Sequence, residues 1–318
     1  MVAFNTLKNK YLPMKTILVT GSNGLLGQKI TSAVLSGRAF NLIATSKGPN
    51  RFPTDQGYQY AEMDILNPAQ VREVVQKYRP GSIIHTAALT NVDKCEEDKD
   101  LAYRLNIEAV KTLVEICNEF NIQLVHLSTD FVFDGAAGPY DELAATSPLS
   151  YYGKTKVEGE DAVKEAKGKW AILRTIIVYG IVHDRSRSNI VLWAKESLES
   201  GKAISVVNDQ WRTPTLAEDL AECCLLAVEK DAQGIYNASG NEMMSIAELV
   251  YKVADYWNLD KSLITEVSSA SLNQAAKRPV RTGFILDKAI KDLGYAPHRF
   301  ADGLALLDSQ LEERKLKQ

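Results

Sequence analysis

The stretch TILVTGSNGLLGQKI, residues 16–30, passes from a short run of apolar and branched residues through three glycines into an amphipathic segment. The run reads as a strand buried on both faces, and the segment after it reads as a helix. A turn between them must bend sharply and let the backbone approach a pyrophosphate. Only residues without a Cβ permit that approach, and the helix N-terminus then faces the negative charge. The spacing is GxxGxxG, formed by Gly21, Gly24 and Gly27. With Asn23, Leu25 and Leu26 between them, these residues are the first candidate contacts to a dinucleotide.

Outward from this turn the same pattern repeats. Strands are expected at 16–20, 41–45, 82–86, 123–128, 170–175 and 234–237, with a weaker one at 59–63, and helix-patterned stretches fill the gaps. Such alternation predicts an α/β fold of Rossmann type, a doubly wound parallel sheet covered on both faces. In NPAQVREVVQKY, Asn67 reads as an N-cap and Pro68 as the first helical residue, while 101–120 reads as one helix of about five turns. The regularity ends after Thr175. Residues 14–180, with a returning segment near 203–240, are assigned to the nucleotide-binding domain. Residues 181–202 and 241–318 are assigned to a smaller substrate-side subdomain, with helices near 190–198, 245–257 and 301–316.

Composition narrows the partners. The chain has 318 residues, a net charge of -3 and no dense Lys/Arg block, which argues against nucleic acid and against an anionic membrane surface. No apolar run approaches the roughly 20 residues of a spanning helix, and a cytoplasmic location is expected. Cys95, Cys117, Cys223 and Cys224 have no metal-ligand or CxxC spacing, so they are read as buried, inert thiols, and no metal is expected.

Cofactor choice is written after the second strand, where an acidic residue would hold the ribose 2′-hydroxyl of NAD. Residues 43–52, IATSKGPNRF, contain no Asp or Glu, whereas Ser46, Lys47 and Arg51 supply a hydroxyl and two cations. NADP is therefore preferred, with NAD possible. A candidate catalytic pair follows in YYGKTK, residues 151–156. A Tyr-xxx-Lys match is expected about once by chance among 13 tyrosines, and Tyr11 with Lys15 is such a decoy because Pro13 spoils the helix. Tyr152 and Lys156 instead open a helix-compatible stretch that puts both on one face. A phenol donates a proton to a developing alkoxide only if a neighbouring cation stabilises its phenolate, and Lys156 would be that cation. A further hydroxyl for the substrate oxygen is offered by Ser128 or Thr129 at a strand's carboxyl end.

Taken in order, TGxxGxxG, AALTNVDKCEED (87–98), STDFVFDG (128–135) and YYGKTK resemble the extended short-chain dehydrogenase/reductase superfamily, most closely its dTDP-4-dehydrorhamnose reductase branch. The resemblance continues through VVNDQWRTPT (206–215) to KRPVRTGF (277–284) and so covers nearly the whole chain. It implies that Tyr152 is the proton donor, that Lys156 also grips the nicotinamide ribose, and that Thr129 sits beside the substrate carbonyl. It implies that Asp64 and Ile65 meet the adenine, and that Ala87, Ala88 and Thr90 line the pyrophosphate and ribose side. Val92 and Asp93 would meet a nucleotide-linked sugar, and Arg278 its diphosphate. A homodimer is a further possibility. Three departures stand out: Ile177 replaces a Trp, Leu25 a Gln and Arg212 a Gly. They leave room for another sugar, for an epimerase, or for a cofactor-binding regulatory subunit like that of methionine adenosyltransferase. A 4,6-dehydratase is disfavoured, because Asp130 is followed by Phe131 rather than Glu.

Overall fold

The computed structural model describes residues 14–184, 188–272 and 274–316, so Tyr11 and the middle of HDRSRSN lie outside the described residues. Seven strands form one sheet: β1 (Lys15–Thr20), β2 (Phe40–Ser46), β3 (Gln59–Glu62), β4 (Ser82–His85), β5 (Gln123–Thr129), β6 (Trp170–Thr175) and β7 (Gly234–Asn237). Their order is β7-β6-β5-β4-β1-β2-β3, with every neighbouring pair parallel. The expected strands and the α/β class therefore hold, with ends shifted by a residue or so.

Parallel neighbours need crossovers, and alternate strand residues need cover on both faces. Ile17, Val19, Ile84, Val125 and Leu173 bury against Leu220, Cys224 and Val228 of a helix at Ala217–Glu229. Leu18, Ile43, Ile83, Leu124 and Ile172 bury on the opposite face, against Val71 and Val75 of Pro68–Tyr78 and Leu113 of Ala109–Phe120. Asn67 caps the first of these helices as expected, accepting a hydrogen bond from the Gln70 amide.

Three expectations are corrected. The helix expected over 101–120 is interrupted by a π-helical segment, Arg104–Glu108. Apolar spacing does not register this wider turn. Within it, buried Asn106 accepts from the Leu89 amide at 2.9 Å and donates to the Leu89 carbonyl and the Thr155 hydroxyl, each at 3.1 Å. Secondly, the returning segment begins later than residue 203. Ile204–Val207 pairs with Ile264–Val267, and its side chains join a second core with Tyr179, Val191, Leu198, Val250 and Leu304. Thirdly, Phe284, Leu286, Ala289, Leu293 and Tyr295, expected on the substrate side, bury in the core of the main sheet. Chain order does not reveal these exchanges, because each is decided by which apolar face a strand or helix meets in space.

Candidate active site

In this strand order β1 and β4 are neighbours whose crossovers leave in opposite directions, so a crevice opens beyond their carboxyl ends. A cavity of about 590 Å³ lies there, lined among others by Gly24, Leu25, Leu26, Ala87, Ala88, Thr90, Thr129, Tyr152 and Lys156. The glycine turn is built for close approach. Gly21 has φ +69°, and a Cβ on it would stand 2.9 Å from the Ala87 amide nitrogen, while one on Gly27 would stand 2.5 Å from the Ser22 Cα. The helix that follows, α1 (Leu25–Leu35), starts at Gly24 with no side-chain cap and no acidic residue in its first turn. Its amide end is thus left for an external anion, which fits a dinucleotide pyrophosphate.

Other expected cofactor residues stand differently. Asn23 does not line the cavity. Its side chain donates to the Pro49 carbonyl and accepts from the Arg51 amide, both at 2.9 Å, and so pins the loop after β2. Ser46 and Lys47 lie outside the cavity lining, and Lys47 pairs with Asp64 at 2.9 Å. Against the effect of partial burial, the Leu66 amide and Lys47 draw the Asp64 carboxyl below its usual range. The Ile65 side chain packs in the core beneath the sheet.

The catalytic candidates converge. Helix α2 (Tyr151–Lys164) begins at Ser150, whose hydroxyl accepts from the Gly153 amide. Its residues 152, 156 and 160 recur every four and face the sheet. Opposite them, residues 126 and 128 share one face of β5. Ser128 donates to Glu160 at 2.6 Å, and Glu160 forms a buried bidentate pair with Arg174 at 2.9 and 2.7 Å. Ser128 is thereby committed to structure. Thr129 lines the same cavity as Tyr152, and its hydroxyl donates to Asp130 at 3.1 Å and accepts from the Phe131 amide at 3.2 Å. Tyr152 is buried, edge-on to Phe131 at 5.7 Å, whereas Tyr151 lies at the helix margin under Lys99.

The electrostatics correct one expectation. Burial pushes the Tyr152 phenol well above its ordinary range, and Thr129 opposes that rise. Lys156 does not direct its ammonium at the phenol. Its Nζ donates to the Leu127 carbonyl at 2.7 Å and lies 3.2 Å from His126 Nε2, and burial lowers its pKa to about 8 against the opposing charge of Glu160.

On the substrate side Val92 and Arg278 line the cavity, but Asp93 does not. Asp93 instead holds Arg278 in a two-point pair, 2.6 and 3.3 Å, which keeps its carboxyl below the usual range. Arg212 also lines the cavity, with its guanidinium spent internally: Nε lies 3.3 Å from Asp130, and Nη2 donates to the Pro279 carbonyl at 2.6 Å. Asp130 further accepts from Thr129 and Thr282. Ile177 lines the same wall at φ +30°, a conformation that a β-branched residue rarely adopts. Residues not singled out from the sequence complete the lining, among them His85, Asn189, Gln210, Ile246 and Gln274, which come from separate segments and share no pattern. Behind the lining lies His126, which carried a usable signal, since it alternates with Ser128.

The RmlD substrate binding domain description matches residues 14–312. Methionine adenosyltransferase 2 subunit beta of Xenopus laevis is 32% identical over 275 residues, covering 84% of this chain and 79% of that protein. The probable low-salt glycan biosynthesis reductase Agl14 of Haloferax volcanii is 29% identical over 93% of this chain and 98% of its own. Among solved structures, the dTDP-4-dehydrorhamnose reductase of Bacillus anthracis in complex with NADP superposes with a TM-score of 0.80 at 29% identity, covering 93% of this chain and 99% of that one.

Proposed function

The chain belongs to the RmlD substrate binding domain family, and from that premise we propose that it is an NADPH-dependent oxidoreductase reducing the keto group of a nucleotide-linked sugar. The observation that carries this reading is the convergence of Thr129, Tyr152 and Lys156 on one cavity with the uncapped start of α1. Gly24, Leu25 and Leu26 would hold the pyrophosphate at that helix end, and Ala87, Ala88 and Thr90 the adjoining ribose side. When bound, the cofactor supplies a hydride to the ketone carbon. The remaining steps belong to the protein. Tyr152 gives its phenolic proton to the carbonyl oxygen as the alcohol forms, and the Thr129 hydroxyl would stand beside that oxygen. Lys156 supplies positive charge to the same enclosure. Burial keeps the phenol protonated until a substrate oxygen needs the proton.

A dTDP-4-keto-6-deoxy sugar is the substrate class we favour, on the likeness to the reductase structure. Ile177, where that branch carries Trp, makes this position aliphatic and removes one aromatic stacking surface, which would shift the choice of sugar. Mixing the purified chain with NADPH and such a sugar should give NADPH oxidation. No oxidation above that of a Tyr152→Phe control would sink the reading for that sugar. The identity to methionine adenosyltransferase 2 subunit beta favours one second reading, a cofactor-binding regulatory subunit. It calls for NADPH binding without turnover.

A further inference from the structure

Two buried histidines have no role in the chemistry above. His85 on β4 and His126 on β5 are register partners, and their rings stack with centroids 5.4 Å apart. Both are buried, at 2% and 1% exposure, and His85 also touches the cavity. His85 Nδ1 lies 2.8 Å from the Thr20 hydroxyl, and His126 Nε2 lies 3.2 Å from Lys156 Nζ. A lysine ammonium has only donors, so His126 Nε2 must accept at this contact, and the ring proton is forced onto Nδ1. Among the described residues that Nδ1 finds no partner. A buried donor left unsatisfied is costly, so the tautomer is held by its contact with Lys156 and by nothing on its other side.

We propose that His126 is a positioning residue of this site: with the Leu127 carbonyl, its neutral imidazole holds two of the three Lys156 N–H groups and leaves the third for the cavity. The inference rests on Lys156 being the cation of the site. It explains why the ammonium stops at the sheet rather than turning to Tyr152. The charged or titratable groups around Lys156 are Tyr152 and Glu160 on its own helix, Cys95 from Val92–Glu97, and His85 and His126 from the sheet. Glu160 is already bound by Arg174 and Ser128. His126 is therefore the group whose loss removes a direct acceptor from the ammonium. Accepting that bond favours the charged form, so without it the amine should surrender its proton at lower pH.

Two measurements on the full chain test this without requiring turnover. Nitrogen NMR of the histidine rings in the native protein should show His126 neutral, protonated on Nδ1 and unchanged near pH 6.5, where an unperturbed imidazole titrates. Competitive acetylation with mass-spectrometric readout should give a Lys156 midpoint near pH 8. His126→Met should move that midpoint down by about one pH unit, and His126→Gln, which restores an acceptor near Nε2, should keep it near the native value. An Nε2-protonated tautomer, or an unchanged midpoint in His126→Met, overturns the proposal. If the variants do not fold, the tautomer in the native chain decides alone. Failure of the chain to oxidise NADPH with any keto sugar would count against the reductase reading and leave these outcomes standing.

Discussion

Tyr152 and Tyr151 are adjacent in sequence, and helical pitch separates their fates. Tyr152 lies four residues before Lys156 and is buried against Phe131 beside Thr129, while Tyr151 sits at the edge of α2. Replacing Tyr152 by Phe keeps the buried ring and removes only the donor. That change should lower kcat by about a hundred- to ten-thousandfold while leaving NADPH affinity within a few fold, read by initial rates and by fluorescence titration. A comparable loss of cofactor affinity would place the tyrosine in binding instead. At the same scale, Lys47 pairs with Asp64 and Arg278 with Asp93, so each of these candidate contacts already has a partner of opposite charge. A resemblance transfers positions, but whether a charge is free for a ligand depends on its partner in space.

Elements in this chain meet by matched periodicities. Residues 152, 156 and 160 on α2 answer residues 126, 128 and 129 of β5, and Gly153 lets α2 approach the turn Asp130–Val132 that follows β5. A Cβ at Gly153 would stand 2.3 Å from the Phe131 carbonyl oxygen, with no flexible side chain to yield. Gly153→Ala should therefore destabilise the fold by about 1–3 kcal/mol, seen as a lower urea midpoint, and should reduce activity in the remaining folded protein. A neutral result would mean that α2 can withdraw from the Phe131 turn. The strands were legible because parallel strands buried on both faces read as short branched runs. The glycine turn was legible because backbone approach excludes other residues. The π segment at Arg104–Glu108 was not, since Asn106 within it bonds to Leu89, a residue in another segment of the chain. Most of the cavity wall was equally hidden, because Asn189, Gln210, Ile246 and Gln274 share no pattern until the chain is folded.

At the scale of the whole molecule, the main sheet and the segments at 211–212 and 279–282 are joined through buried charge. Asp130 from the end of β5 receives Arg212, Thr282 and Thr129, and Arg212 in turn holds the Pro279 and Val280 carbonyls. Asp130→Ala leaves Arg212 buried without its counter-charge and should cost about 3–5 kcal/mol, measured by denaturant unfolding. A loss below about 1 kcal/mol would show the guanidinium to be satisfied by carbonyls alone. The histidine pair adds a pH dependence. Burial and the Lys156 charge lower the His85 pKa to about 3, whereas the unfolded chain would protonate it near 6.5. The unfolded state binds more protons between those values, so stability should fall as pH drops from 6.5 toward 3. Urea midpoints at about pH 7 and about pH 5 check this, and equal midpoints would contradict it. The central claim, that this cavity performs hydride transfer with Tyr152 as proton donor, is tested most directly with NADPH deuterated on the transferred face of its nicotinamide C4 and a dTDP-4-keto-6-deoxy sugar. The account expects deuterium at C4 of the sugar product with the native chain and almost none with Tyr152→Phe. NADPH bound without label reaching any keto sugar would contradict it and favour the regulatory-subunit reading.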